Sequence, residues 1–365
     1  MVDVKHVDVS NSQKDNFFQT SILKLKLIMK NVAILGASGF VGQEIIKICL
    51  NHPHVKIVAL SANKSAGETV QIHDSVGIQI PLKYKSYEDI NFSNIDYVFN
   101  CLPNENLHKR SDLLKSDVSI IDLSVDFRLD DKNEYENWYD FQHSNFEVND
   151  EFQYGLTEFN RDKIKKCKHI ANPGCYATSI LIPLIELIKQ NAIKTDDIVI
   201  DSKSGYSGAG KTKGKKELIK EVNENIRTYG IGDHKHIAEI NQELSKIKNI
   251  QTEVFFAANI LPVERGILSN IYIDTNEVSQ NDIYDILQKR FNDEHFIQLL
   301  PMNEIPCSRE VVGTNNLVIG LKKGYKENKL CIVSVLDNLV KGAAGQAVQC
   351  FNISQGLEEH LGLNE

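Results

Sequence analysis

Apolar residues fall along this chain in short runs, each closed by a loop and followed by a stretch of helical character. Val32-Ala33-Ile34-Leu35 predicts a strand, Gly36 to Gly42 a loop, and Gln43 to Leu50 a helix. Lys56 to Leu60 predicts a second strand, Ile95 to Leu102 a third, a helix from about Glu105 comes next, and Ser119 to Ser124 is a fourth strand. Strand and helix in turn predict a parallel sheet covered on both faces, so the first half reads as a doubly wound, Rossmann-type α/β unit. The second half has a different rhythm. A short apolar stretch (Lys168 to Ala171) and a helical run (Ser179 to Ile188) precede a strand at Asp197 to Ser204. A short helix (Ala238 to Leu244) leads into Val254 to Leu261 and Leu268 to Asp274, read as antiparallel strands joined at Pro262 to Ile267. A last strand, Leu330 to Leu336, opens onto Asp337 to Cys350, whose small residues predict a helix packed closely on another element. This half reads as α+β.

With 365 residues, and roughly 100–200 per domain, the chain divides in two. We place a Rossmann domain at 29–174, with the helix of 339–365 packing back on it, and a second, catalytic and oligomerisation domain at 175–338. Residues 1–28 stand apart, polar and nearly patternless, with three Asp and no Arg, a poor presequence. They read as a disordered extension, or as the product of a start upstream of Met29. The seven cysteines are scattered, with no Cys-x-x-Cys pair, which points to a reducing, cytoplasmic setting and to neither disulfides nor a metal site. No apolar run is long enough to span a bilayer. A net charge of −8 argues against a general nucleic-acid binder. An anionic ligand would need local Lys and Arg residues.

Gly36-Ala37-Ser38-Gly39-Phe40-Val41-Gly42, between a strand and a helix, has the form of a dinucleotide phosphate loop. Glycines allow the tight turn, and a helix N-terminus takes the pyrophosphate. The alternative is a plain capping loop. At the end of the second strand, Ser61-Ala62-Asn63-Lys64-Ser65 lacks the carboxylate that binds the ribose of NAD, so the cofactor reads as NADP(H). Pro103 lies just past a strand end, where such sheets bind ligands.

The most specific segment is Asn172-Pro173-Gly174-Cys175-Tyr176-Ala177-Thr178. It sets a thiol at the start of a helix, where unpaired N–H groups and the helix dipole favour the nucleophilic thiolate. Gly174 allows the turn and leaves room for a substrate beside the sulfur. A buried structural cysteine is the competing reading. Further on, Gly205 to Thr212 satisfies the P-loop pattern G-x-x-x-x-G-K-[ST], which makes an NTPase the main rival. The dinucleotide loop upstream and the late position of this one count against it. His234 and His236, one residue apart, are expected to point in different directions, and a histidine can move a proton near pH 7. Arg265, at the turn, would pair with a carboxylate or phosphate, or stand in solvent.

Together these segments resemble the N-acetyl-gamma-glutamyl-phosphate reductase family over about 29–356. The resemblance rests on Gly36 to Gly42, Asp122-Leu-Ser-Val-Asp-Phe-Arg128, Tyr154-Gly-Leu-Thr-Glu158, Asn172 to Thr178, Gly205 to Gly210, His236-Ile-Ala-Glu-Ile240, Val263 to Gly266 and Asp337 to Ala344. It implies a cysteine thioester chemistry on an acyl phosphate, with Cys175 the nucleophile and His236 the acid–base group. It implies Ser207, Gly208 and Asn338 near NADPH, and Arg128, Lys211 and Arg265 near an anionic small-molecule substrate. It also implies a homodimer or homotetramer. Three positions depart from the family pattern: Lys211 for Arg, Ala238 for Pro and Ser179 for a smaller residue. A reductase of N-acetyl-aminoadipyl or aspartyl phosphate, and a silent NADP-binding protein, remain as alternatives.

Overall fold

The computed structural model of the chain describes residues 29–72, 79–210, 215–324 and 326–365. The expectations for residues 1–28 and for Lys211 lie outside the described residues.

The first unit runs β1 (Lys30–Leu35), α1 (Phe40–Asn51), β2 (Val55–Leu60), a small pair β3 (Thr69–Gln71) and β4 (Gln79–Lys83), β5 (Tyr97–Asn100), α2 (Ser111–Leu114) and β6 (Ser119–Asp122). It continues with α3 (Lys132–Tyr139), β7 (Phe152–Tyr154), α4 (Thr157–Ile164) and β8 (His169–Ala171). Its main sheet has the order β2-β1-β5-β6-β8-β7, parallel throughout, as the alternation of strand and helix requires. β1 and β5 are neighbours although β2 to β4 intervene in sequence. Their carboxyl ends therefore form the crevice at which such sheets bind ligands. The helix expected from Glu105 starts later and is short. The Asp126 carboxylate accepts the N–H groups of Glu105, Leu107 and His108, tying that segment down as a loop and a 3₁₀ turn, Leu107–Lys109, before α2 begins.

The second unit opens with α5 (Cys175–Lys189), then β9 (Ile198–Gly205), α6 (Lys215–Val222), β10 (Arg227–Tyr229), α7 (His236–Lys246), β11 (Val254–Leu261), β12 (Ile267–Asp274), α8 (Gln280–Phe291), β13 (Ile297–Leu299), β14 (Leu317–Lys323) and β15 (Lys329–Leu336). Its sheet order is β10-β11-β9-β12-β15-β14-β13. The expected β11–β12 hairpin is therefore corrected. The two strands do run in opposite directions, but β9 lies between them, parallel to β11 and antiparallel to β12. The connection 262–266 arches over the end of β9. Gly205 closes that approach, since a Cβ there would stand 2.6 Å from Arg265 N and Glu264 O.

Almost all of α5 is buried, and it packs on β12, β15, α7 and α8. Pro183 lies inside it and removes the N–H that would reach the Ser179 carbonyl. Ser179 Oγ instead shares a hydrogen bond with Ser269 Oγ (2.7 Å), which also meets Ser202 Oγ (2.7 Å). A hydroxyl at 179 thus has a reason in the packing. After β15 come a π-helical turn, Val340–Ala344, and α9 (Gly345–Ser354). Ala347, Val348, Phe351 and Ile353 of α9 join the core built on Val32, Ile34 and Ile121 of the first sheet. Among the described residues no helix is long and apolar enough to cross a membrane.

Candidate active site

The glycine loop follows β1 directly. Gly36 has φ +71°, and a Cβ on it would collide with the carbonyl oxygen of Cys101 at the end of β5. A Cβ on Gly42 would lie 2.6 Å from Gly36 O. Only glycine fits both places. Gly39 caps α1, with Phe40, Val41 and Gly42 as its first turn, and Ala37 N–H donates to Ser61 O (2.8 Å). Ser61 is buried, and Ser38 stands in the same loop. This is a helix N-terminus presented over a strand crevice, a cradle that suits a pyrophosphate. Asn63, Lys64 and Pro103 are exposed around it. The Asn63 side chain accepts the Tyr87 N–H (3.1 Å), which fixes the loop after β2.

Cys175 is the first residue of α5, with Gly174 as its cap, as the turn chemistry dictates. The electrostatics differ from the expectation. The residue is only part-exposed, and burial pushes its thiol up to about 11. The Arg128 charge and the N–H groups of the turn pull downward and lose. The thiol of the free protein is therefore protonated at neutral pH. Alkylation of Cys175 should keep accelerating above pH 9 and level off only near pH 11. A plateau reached by pH 7 would contradict this.

Room beside Gly174 is likewise not left for substrate. A Cβ there would sit 2.6 Å from His236 Nε2 and 2.9 Å from Glu239 Oε2. The imidazole is thus stacked against the backbone that carries the nucleophile. Burial first, then His234 and Arg128, hold His236 well below the usual histidine range. A neutral imidazole against the turn that carries a protonated thiol is a base waiting for a proton, not a preformed ion pair. His234 corrects a further expectation. The two rings lie 4.9 Å apart and both meet Tyr176 edge-on. His234 Nδ1 accepts the His236 N–H (3.1 Å), the first N–H of α7, because the chain turns between them.

Glu239 and Tyr154 were not singled out from the sequence. Glu239 is fully buried and accepts from Tyr154 Oη (2.6 Å), Gly174 N–H (2.8 Å) and Arg128 Nη1 (3.3 Å). Its signal was its place three residues after His236, on one helix face. Arg128 also donates to Asn172 O (2.8 Å) and Leu123 O (3.0 Å). Burial opposes its charge, and Glu239 together with Tyr139, Tyr154 and Asp122 more than offsets that. Arg128 thus lies behind the Asn172–Cys175 turn, with all three nitrogens on protein partners.

A second cluster adjoins the dinucleotide loop. Asn338 donates to Ser207 Oγ (2.9 Å) and accepts from Gly266 N–H (2.8 Å), and Gly208 stands beside Ser204 and Asn338. Arg265 pairs with Glu44 on α1 (2.5 Å) and with Asp337 (3.3 Å), so its partners here are the protein's own carboxylates. The P-loop reading fails on hydrogen bonding. The N–H groups of Gly205, Tyr206, Ser207 and Gly210 donate to the carbonyls of Gly266, Val263, Glu264 and Ser207, whereas a phosphate nest needs such groups unpaired.

Comparison with known proteins agrees with this geometry. Residues 31–167 match the semialdehyde dehydrogenase NAD binding domain, and residues 175–338 match the semialdehyde dehydrogenase dimerisation domain. The chain is 39% identical over 344 residues to N-acetyl-gamma-glutamyl-phosphate reductase of Afipia carboxidovorans, covering 92% of this chain and 97% of that protein. It is 39% identical over 364 residues to a probable chloroplastic N-acetyl-gamma-glutamyl-phosphate reductase of Oryza sativa, covering 99% and 88%. Among solved structures, aspartate semialdehyde dehydrogenase II of Vibrio cholerae superposes with a TM-score of 0.68 at 20% identity, covering 89% of this chain and 98% of that one. At that identity it shows the shared two-domain fold. With a cysteine turn, a buried histidine and a glycine cradle in one two-domain frame, and relatives that align along nearly its whole length, the chain belongs to the N-acetyl-gamma-glutamyl-phosphate reductase family of NAD(P)-dependent semialdehyde dehydrogenases.

Proposed function

We propose that this protein reduces N-acetyl-L-glutamyl 5-phosphate to N-acetyl-L-glutamate 5-semialdehyde, with NADPH as reductant and a thioester on Cys175 as intermediate. The observation that carries the reading is the packing of His236 Nε2 against Gly174, the residue before the thiol. His236 takes the thiol proton as sulfur attacks the acyl carbon. The C–S bond forms, the C–O bond to phosphate breaks, and that proton leaves with phosphate. NADPH held on the Gly36–Gly42 cradle would supply the hydride that reduces the thioester. His236 then delivers a second proton, drawn from solvent, to the oxyanion, and the thiohemiacetal collapses to aldehyde and free thiol. Glu239, Tyr154 and Arg128 hold the Gly174 turn and α7 in register through this cycle. Lys211 supplies positive charge toward the anionic substrate, Arg265 can add to it only by giving up Glu44 or Asp337, and Asn338 with Ser207 shapes the nicotinamide side.

The domain division at 174/175, with α9 returned to the cofactor unit, is part of the same proposal, as is 1–28 as an extension of it. The matched dimerisation domain supports the second unit as the place of self-association. We assign a homodimer or homotetramer to the open face of its sheet, where Phe255 and Tyr272 are 56% and 44% exposed. The seven unpaired thiols fit a reducing, cytoplasmic compartment.

NADPH oxidation assayed against N-acetyl-glutamyl, aspartyl and N-acetyl-aminoadipyl phosphates tests the function. Turnover confined to either of the latter two overturns the substrate assignment. For the cofactor, Lys64→Glu should lose most of the preference for NADPH over NADH, about tenfold or more, by setting a carboxylate near the 2′-phosphate. Equal use of both cofactors by the unaltered protein would end that part of the proposal.

A further inference from the structure

The π-helical turn Val340–Ala344 lies directly against the nucleophile. A Cβ on Gly342 would stand 2.8 Å from Cys175 Cβ and 3.2 Å from Leu336 Cδ1. The same turn touches α1, the helix of the dinucleotide loop, and α5, which begins at Cys175. It is the backbone that separates the cofactor helix from the nucleophile helix. Its backbone is held by the end of β15 and by the cysteine turn. Gly342 N–H donates to Asp337 O (2.9 Å), and Asn172 Nδ2 reaches Ala343 O (3.3 Å) just ahead of the cysteine turn. Single π turns are rare and occur preferentially at functional sites.

The side chain that pins this turn is Lys341, which has no exposed surface. Its Nζ donates to Glu158 Oε1 (2.6 Å) and Gln349 Oε1 (2.8 Å). The other Glu158 oxygen accepts from Thr157 Oγ1 (2.9 Å), which in turn accepts from Gln346 Nε2 (3.0 Å). Burial works against the Glu158 charge, but the charge and hydrogen bond of Lys341, with a backbone N–H and the Arg161 charge, together hold the carboxyl below its ordinary value. A buried pair of this kind adds little net stability over apolar residues of the same size, while it fixes geometry closely. Neither residue approaches the reacting atoms except through the turn.

We propose that Lys341 is a positioning residue: through Glu158 it fixes the Val340–Ala344 turn and thereby sets where the Cys175 sulfur stands relative to the cofactor helix α1. The inference rests on Cys175 as nucleophile. Geometry of this sort enters the rate steeply, since a misplacement of about 1 Å can cost on the order of a hundredfold.

Two variants of the full chain test it. Lys341→Met with Glu158→Gln removes both charges and leaves neither one buried alone. Gly342→Ala leaves the pair intact and presses a methyl on Cys175. Both are expected to lower kcat at least tenfold, with the NADPH Kd from fluorescence titration and the acyl-phosphate KM within about threefold. A double variant that folds, binds NADPH and keeps the native kcat overturns the proposal. A double variant that does not fold makes the pair a stability element, and overturns it equally if Gly342→Ala turns over at the native rate. Failure of the underlying reading looks different. It would appear as turnover by Cys175→Ser, whereas loss of the positioning role alone leaves acyl labelling of Cys175 in place.

Discussion

Cys175→Ser should abolish reduction while leaving NADPH binding unchanged. A serine hydroxyl occupies nearly the same space at the start of α5, so the turn around Gly174 and its bond to Glu239 Oε1 persist. What is lost is the nucleophile. An alcohol is far weaker than a thiol next to a neutral imidazole, and the oxyester it would form is a poorer hydride acceptor than a thioester. Removing a covalent nucleophile elsewhere lowers kcat on the order of 10⁶-fold, and a loss of at least 10⁴-fold is expected here. NADPH affinity should stay within twofold, because the cradle of Gly36, Gly39 and Gly42 belongs to the other unit. Intact mass measurement of the native chain with acyl phosphate and no NADPH should show one acyl group on Cys175. A label on Cys167 or Cys101, or residual turnover by the serine variant, would defeat the assignment.

What the sequence made legible was local. Gly36 to Gly42 and Asn172 to Thr178 each lie between a strand and a helix, and glycine spacing reports backbone demands within a few residues. The first sheet followed for the same reason, since alternating strands and helices admit few parallel arrangements. The insertion of β9 between β11 and β12 was not legible, because pairing between residues as distant as Ile198 and Val254 leaves no local mark. Gly205 could have signalled it only to a reader who knew that the 262–266 arch crosses there. The thiol was misjudged for a related reason. A helix N-terminus can be read from Pro173-Gly174-Cys175, but the desolvation that outweighs it comes from the packed surroundings, with the Glu239 charge adding to it and the Arg128 charge opposing it, and the chain assembles these from distant segments. Lys341 shows the limit most clearly. A lysine beside Gly342-Ala343-Ala344 suggests a solvated charge on a small-residue face, and its partner Glu158 lies 183 residues earlier.

His236→Asn is expected to lower kcat by about 10²- to 10⁴-fold, the range lost with a positioned acid–base group. The pH dependence distinguishes this loss from misfolding. In the native chain a neutral imidazole, held well below the usual range, can accept the thiol proton across neutral pH, so the rate needs no free thiolate. In the variant only the ionised fraction of Cys175 reacts, and burial pushes that thiol up to about 11. Removing the imidazole takes away no positive charge at neutral pH, so the thiol should remain high. The variant's rate should therefore rise about tenfold per pH unit from pH 7 to 10, against a native profile that is nearly flat over the same interval. The asparagine keeps a polar side chain at the first position of α7, and the bond from its backbone N–H to His234 Nδ1 is unaffected, so the helix and the bond from Gly174 to Glu239 survive. A variant profile parallel to the native one would show that His236 is not the base, and would leave the proton transfer to Glu239 or to solvent.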